Sequence, residues 1–171
     1  MGKALLVIDI QNDYFPGGGY PLWNAEAVLE NLEKAIARAK ASGIPVILVQ
    51  HVADPAKGPS PFFNQDTPGV QLHPRILAAA PGAPVVVKGF ADAFHQTRLE
   101  ALLQSLGATE LLVAGMMTQN CVTHTAISRA ADAYQVAVLP DCSTTVTEML
   151  HLIALGGLST RVALVPSTQA I

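Results

Sequence analysis

Asp9, Lys88 and Cys121 are the residues of this chain whose types and surroundings point to covalent chemistry. Asp9 stands between Ile8 and Ile10 in the apolar run 4–10 (ALLVIDI). Lys88 closes the run Val85-Val86-Val87, and Cys121 follows the turn Met117-Thr118-Gln119-Asn120 behind another apolar run. A charge inside a buried strand costs several kcal/mol unless it is paired or used. A thiol in the first turn of a helix, near a lysine, is expected to ionise more readily than a free one. Taken singly, each residue has an ordinary explanation: a buried ion pair for Asp9 and Lys88, a small core hydrophobe for Cys121. Together, at the ends of three strands, they make a base, a cation and an activatable thiol. Cys142 is the rival nucleophile, but Asp141 precedes it and its charge opposes a thiolate.

The elements that must position these groups alternate along the chain. Strands are expected at 4–10, 45–52, 84–89, 110–116, 135–140 and 161–165. Helices are expected at 25–42 and near 95–106, 119–133 and 147–158. In the first helix Val28, Leu32, Ala35, Ile36 and Ala39 recur on one face, acids lead, bases trail, and Gly43 ends it. Repeated β-α-β units predict an α/β fold, a three-layer α/β/α arrangement around a doubly wound six-stranded parallel sheet of Rossmann-like type. Ligands in such sheets bind beyond the carboxyl ends of the strands, where all three residues fall. The stretch 53–73 and its border carry Pro55, Pro59, Pro61, Pro68 and Pro74 with little periodicity, as a lid or binding loop would, or a surface excursion packed by its own aromatics.

Composition removes several classes. The 171 residues suit a single domain over 1–171, and half are hydrophobic with 13% charged, which excludes disorder. A net charge of −3 argues against nucleic acid as a partner. No apolar run reaches the ~20 residues of a membrane span, and no leader pattern follows Met1, so a cytoplasmic protein is expected. Surplus apolar surface suggests a homo-oligomer, dimer or tetramer. There is no G-x-S-x-G elbow, no Walker lysine motif and no G-x-G-x-x-G at Gly17-Gly18-Gly19. His51, His73, His95, His124 and His151 form no i,i+3 or i,i+4 pair, and no C-x-x-C occurs, so neither a metal nor a cofactor is expected.

Three blocks, LLVIDIQNDYFPGG (5–18), VVVKGFADAF (85–94) and VAGMMTQNCVTHTA (113–126), resemble the signature stretches of the isochorismatase-like cysteine hydrolases. That superfamily includes nicotinamidases, N-carbamoylsarcosine amidases and isochorismatases. The resemblance implies a catalytic triad of Asp9, Lys88 and Cys121. It also implies a cis peptide at Met116-Met117 and an oxyanion hole from the N–H groups of Met117 and Cys121. Nicotinamidases carry an Asp-x-His metal cluster where this chain reads Val49-Gln50-His51-Val52, so metal is not implied here. Isochorismatases of siderophore and phenazine type commonly lack the cysteine, so Cys121 favours acyl transfer. The expected activity is hydrolysis of a C–N bond in a small amide or carbamoyl compound through a Cys121 thioester. Tyr14, Phe15 and Phe62 are candidates for the pocket wall, and Gln50 and His51 for polar substrate contacts. The alternatives are vinyl-ether hydrolysis with Asp9 as acid, and a non-catalytic protein of the same fold.

Overall fold

A computed structural model describes residues 2–171. The continuous apolar run Ala4-Leu5-Leu6-Val7-Ile8 makes the buried part of β1 (Gly2–Ile8), covered on both faces as a central parallel strand must be. It is followed by α1 (Ala25–Ala41), β2 (Val46–His51), α2 (Pro74–Ala79), β3 (Val85–Lys88) and α3 (Leu99–Ser105). Then come β4 (Ala108–Met116), a π turn (Thr118–Val122), α4 (Thr123–Ala126), β5 (Gln135–Thr144), α5 (Glu148–Leu158), β6 (Ala163–Leu164) and α6 (Ser167–Ala170). All six strands are parallel and lie in the order β3-β2-β1-β4-β5-β6. The chain thus winds outward in both directions from the β1–β4 pair, which is the switch point where such sheets bind ligands.

Alternation along the strands splits the core into two layers. Leu5, Val7, Val46 and Leu48 face α1, whose Val28, Leu29, Leu32, Ala35, Ile36 and Ala39 are buried against them. Leu6, Ile8, Ile47 and Val49 face the other side, with Leu99, Leu103, Val122 and Leu158. Each large side chain so buried contributes roughly 1.5–3 kcal/mol. No helix among the described residues is long and apolar enough to cross a membrane.

The differences from the expected elements have identifiable causes. β1 stops at Ile8, because Asp9 adopts φ 55 and turns the chain out of the sheet. The expected helix 119–133 is three short pieces: the π turn, α4, and a 3-10 turn at Arg129–Ala133. Ser128 breaks it by taking an extended conformation and accepting from the Ala130 amide, a competition with helical bonding typical of serine. β5 runs past Pro140 to Thr144, because the register skips from Val113↔Val138 to Gly115↔Ser143 and resumes beyond the bulge. Cys142 therefore lies inside a strand and not just past one. The helix expected near 95–106 starts only at Leu99, and β6 shrinks to two residues at the sheet edge. The proline-rich stretch holds two 3-10 turns, Pro55–Lys57 and Pro68–Val70, and α2 follows it with Pro74 at its first position.

Gly115 lets the switch point close. At φ +126, a Cβ there would stand 2.1 Å from the Ile8 carbonyl oxygen, so only glycine allows β4 to pass the end of β1.

Candidate active site

The three sequence candidates meet at the carboxyl edge of the sheet. Asp9 follows β1, and its amide donates to the Val49 carbonyl at 3.0 Å. Aspartate tolerates the left-handed conformation better than most residues, and the turn aims its side chain across the strand ends. Lys88 is the last residue of β3, in register with His51 of β2. Cys121 sits within the π turn that follows β4. Thr123 Oγ1 pins this turn by donating to the Thr118 carbonyl at 2.6 Å, and Thr118 Oγ1 pairs with His151 Nδ1 at 2.8 Å. The Met116–Met117 peptide bond entering the turn is cis.

Lys88 is the hub. Its Nζ lies 2.9 Å from Asp9 Oδ2, with both side chains fully buried. It also contacts His51 Nδ1 at 2.8 Å, the Phe90 carbonyl at 3.1 Å and Cys121 Sγ at 3.2 Å. The three donors of an ammonium are thus directed to His51, Phe90 and Cys121, while Asp9 supplies the counter-charge. Neither Asp9 carboxylate oxygen receives a well-aligned hydrogen bond from protein, leaving a buried anion beside a thiol.

The electrostatics follow from this packing. Burial opposes the Lys88 charge, but Asp9 and Cys121 outweigh it and hold the ammonium above the ordinary lysine range. Burial pushes the Cys121 thiol upward, Asp9 adds to the shift, and Lys88 only partly offsets it. A thiolate favoured at rest was the expectation from residue types; in the sealed site desolvation reverses the direction. Burial and the neighbouring Asp141 push Cys142 up to about 12. Burial, then Asp9 and Cys121, hold the Tyr14 phenol in its protonated form well above the usual tyrosine range.

Of the five candidate substrate contacts, His51 reaches Lys88 directly. His51 also lines a cavity of about 290 Å³ with Lys57, Ser60 and Gly89. Tyr14 is buried under the loop, its ring 5.3 Å from Phe62 and 4.5 Å from Phe63. Phe62 stacks outward on Tyr20, 4.9 Å away. Phe15 packs on His73 instead, at 4.4 Å, and lines a separate cavity of about 560 Å³ with Asn12 and Asp13. Gln50 donates to the Val70 carbonyl at 2.9 Å, so its amide is spent on the loop.

Sequence reasoning missed the residues that hold that loop. Gln11 donates to the carbonyls of His51 and Val70 at 2.8 and 2.7 Å and accepts from the His51 amide at 2.8 Å. Asp13 accepts from the amides of Gly19 and Phe63 at 2.9 and 2.7 Å, and Gly69 leaves room for this carboxylate, since a Cβ there would fall 2.0 Å from Asp13 Oδ1 and push the side chain aside. The available signal was two polar residues in a block otherwise destined for the core.

Asp9, His51 and Cys121 also present ligand atoms within 4.8 Å of one another. The Lys88 ammonium touches all three residues and already supplies the positive charge there, so a metal ion does not fit this cluster.

The isochorismatase domain family matches residues 3–170, and the chain belongs to the isochorismatase family of hydrolases. It is 37% identical over 150 residues to the isochorismatase family protein YddQ of Bacillus subtilis, covering 87% of this chain and 82% of that one. It is 33% identical to a streptothricin hydrolase of Streptomyces noursei, covering 99% of this chain but only 64% of the relative. It is 29% identical to the ureidoacrylate amidohydrolase RutB of Methylobacterium radiotolerans, covering 91% and 72%. The crystal structure of an isochorismatase hydrolase from Oleispira antarctica superposes with a TM-score of 0.86 at 30% identity, covering 99% of this chain and 95% of that one.

Proposed function

We propose that this protein hydrolyses a C–N bond of a small amide or carbamoyl compound through a thioester on Cys121. The observation that carries the reading is the contact of one buried ammonium, Lys88, with a carboxylate and a thiol at once. Asp9 takes the thiol proton as Cys121 Sγ attacks the substrate carbonyl carbon. The tetrahedral oxyanion is held by the backbone N–H groups of Met117 and Cys121, where loss of one donor typically costs ~10²–10³ in rate. Asp9 then gives its proton to the departing nitrogen, and the C–N bond breaks to leave the thioester. A water loses a proton to Asp9, attacks the thioester and releases the acid, and the proton returns to sulfur. Lys88 supplies the counter-charge to the Asp9 carboxylate and steadies the thiolate as it forms.

Two observations support this over protonation of a vinyl ether. A cysteine would not be needed there, yet Cys121 is placed 3.2 Å from the cation. RutB, by its name, is an amidohydrolase. Tyr14 and Phe62 form the apolar wall in this reading, and His51 makes the polar contact. The apolar outer face of α5, where Met149, Leu152 and Ile153 stand exposed, supports a homo-oligomer.

The test is an ammonia-release screen over small primary amides, ureido compounds and nicotinamide, with Cys121→Ala as control. Release that depends on Cys121 is the expected result. Turnover of isochorismate by Cys121→Ala, with no amide hydrolysed by the native chain, would overturn it.

A further inference from the structure

His51 and Lys88 are register partners on adjacent parallel strands, so their side chains leave the sheet on the same face at its carboxyl edge. The separation of Lys88 Nζ and His51 Nδ1 is 2.8 Å. An ammonium can only donate, so Nδ1 must present its lone pair to Lys88. A neutral imidazole carries one proton, which is therefore on Nε2. The surroundings keep the ring neutral: burial and the Lys88 charge both disfavour a second proton, and Asp9 opposes them only in part. The Cys121 thiol lies within 4.8 Å of a ring nitrogen, and the other charged groups at this end, Asp54 and Lys57, line the cavity with His51.

The ring has little freedom. The His51 amide and carbonyl are both bonded to the Gln11 side chain, and Phe63 lies 5.9 Å from the ring centre. Nε2 has no hydrogen-bond partner among the described residues, nor is it a sealed, orphaned atom. What remains for it is the cavity of about 290 Å³ that His51 lines, bordered by Gly89 next to Lys88.

We propose that His51 is a specificity-determining residue whose tautomer is set by Lys88, so that it offers a fixed Nε2–H donor to whatever occupies this cavity. The inference rests on the hydrolase reading above and narrows its substrate class. The substrate places an acceptor oxygen, of a carbonyl or a carboxylate, against Nε2, close to the bond that is cut. A group that can only donate, such as an ammonium, meets a donor there and is refused. The same Lys88 thus organises the reacting groups on one side and the recognition donor on the other.

The experiment uses the full chain with ¹⁵N-labelled histidine imidazoles. His51→Asn assigns the resonance and keeps an amide oxygen near the Nδ1 position for Lys88 while removing the Nε2 donor. At pH 7, His51 is expected to show a bare Nδ1 and a protonated Nε2. Acetate, an acceptor, should shift the Nε2–H signal within a titration to ~0.1 M, where a ligand of millimolar Kd saturates, and methylammonium should not. In the His51→Asn variant, acetate should lose most of its protection of Cys121 against iodoacetamide, about tenfold or more in the protecting concentration. A proton on Nδ1, an imidazolium, an Nε2–H that acetate leaves unmoved, or equal response to methylammonium overturns the proposal. None of these readouts requires turnover, so a failure of the thioester mechanism would be seen separately, in the Cys121→Ala control.

Discussion

Lys88 Nζ lies 2.9 Å from Asp9 Oδ2 and 3.2 Å from Cys121 Sγ, so one cation bridges the group that would take a proton and the group that would give it. Burial raises the Cys121 thiol, Asp9 raises it further and Lys88 lowers it. The proton therefore rests on sulfur until something else moves it.

Asp9→Asn should separate thiol reactivity from turnover. Removing the negative charge favours the thiolate, so alkylation of Cys121 should reach its maximal rate at lower pH than in the native chain. Amide turnover should fall by at least ~10², because a positioned acid–base group is gone. Iodoacetamide rates from pH 5 to 9 by peptide mapping, beside ammonia release, give both quantities. Native turnover in the variant would remove Asp9 from the mechanism.

Replacing Lys88 by Met leaves the Asp9 carboxylate buried without its counter-charge. A loss of about 3–5 kcal/mol in folding free energy is expected. The double variant Asp9→Asn, Lys88→Met should recover much of that loss, since no lone charge then remains. Urea unfolding of the four proteins closes the cycle. A double variant no more stable than Lys88→Met would show that the pair is not what fails.

The pH dependence of stability has a definite sign. Burial lowers the pKa of His51, His73 and His151 in the folded chain. The unfolded chain binds protons at these residues near pH 6.5, so unfolding is favoured as the pH falls below that value. The stability they contribute is fully present above pH 6.5 and is lost progressively on acidification toward the folded values. The urea midpoint should drop between pH 7.5 and 5.5, and His151→Gln should flatten part of the drop. An unchanged midpoint across this window would contradict it.

Gly115→Ala tests the closing of the switch point. With a methyl group 2.1 Å from the Ile8 carbonyl oxygen and φ at +126, β1 and β4 cannot keep their register. A loss above ~4 kcal/mol, or failure to fold, is expected. Gly156→Ala, in α5 with nothing within 4 Å of an added Cβ, is the control and should be tolerated.

The sheet was legible because buried parallel strands are written as near-continuous apolar runs, as β1, β2 and β4 are, and the edge strand β3, half-exposed at Val87, is still a run of valines. The strand-end rule alone then brings Asp9, Lys88 and Cys121 to one edge. Four things were hidden. The turn at Asp9 is a backbone conformation compatible with the strand-like composition around it. The breaks at Ser128 and at the β5 bulge depend on tertiary partners, Asp92 for the Ser128 hydroxyl at 2.7 Å and the register of β4 for the bulge. The direction of the Cys121 shift depends on burial, which residue types near it do not encode; charge alone suggested the opposite sign. The pairing of His51 with Lys88 was hidden in the same way, because cross-strand register is set by packing and not by local spacing.

The most direct measurement is the mass of Cys121 during turnover. The native chain, mixed with a hydrolysed amide and quenched in acid within the first turnovers, should carry the acyl group of that amide on the Cys121 peptide, absent from Cys142 and from Cys121→Ala. Steady hydrolysis of the amide by Cys121→Ala at the native rate, with no acyl mass on any cysteine, would contradict the thioester mechanism.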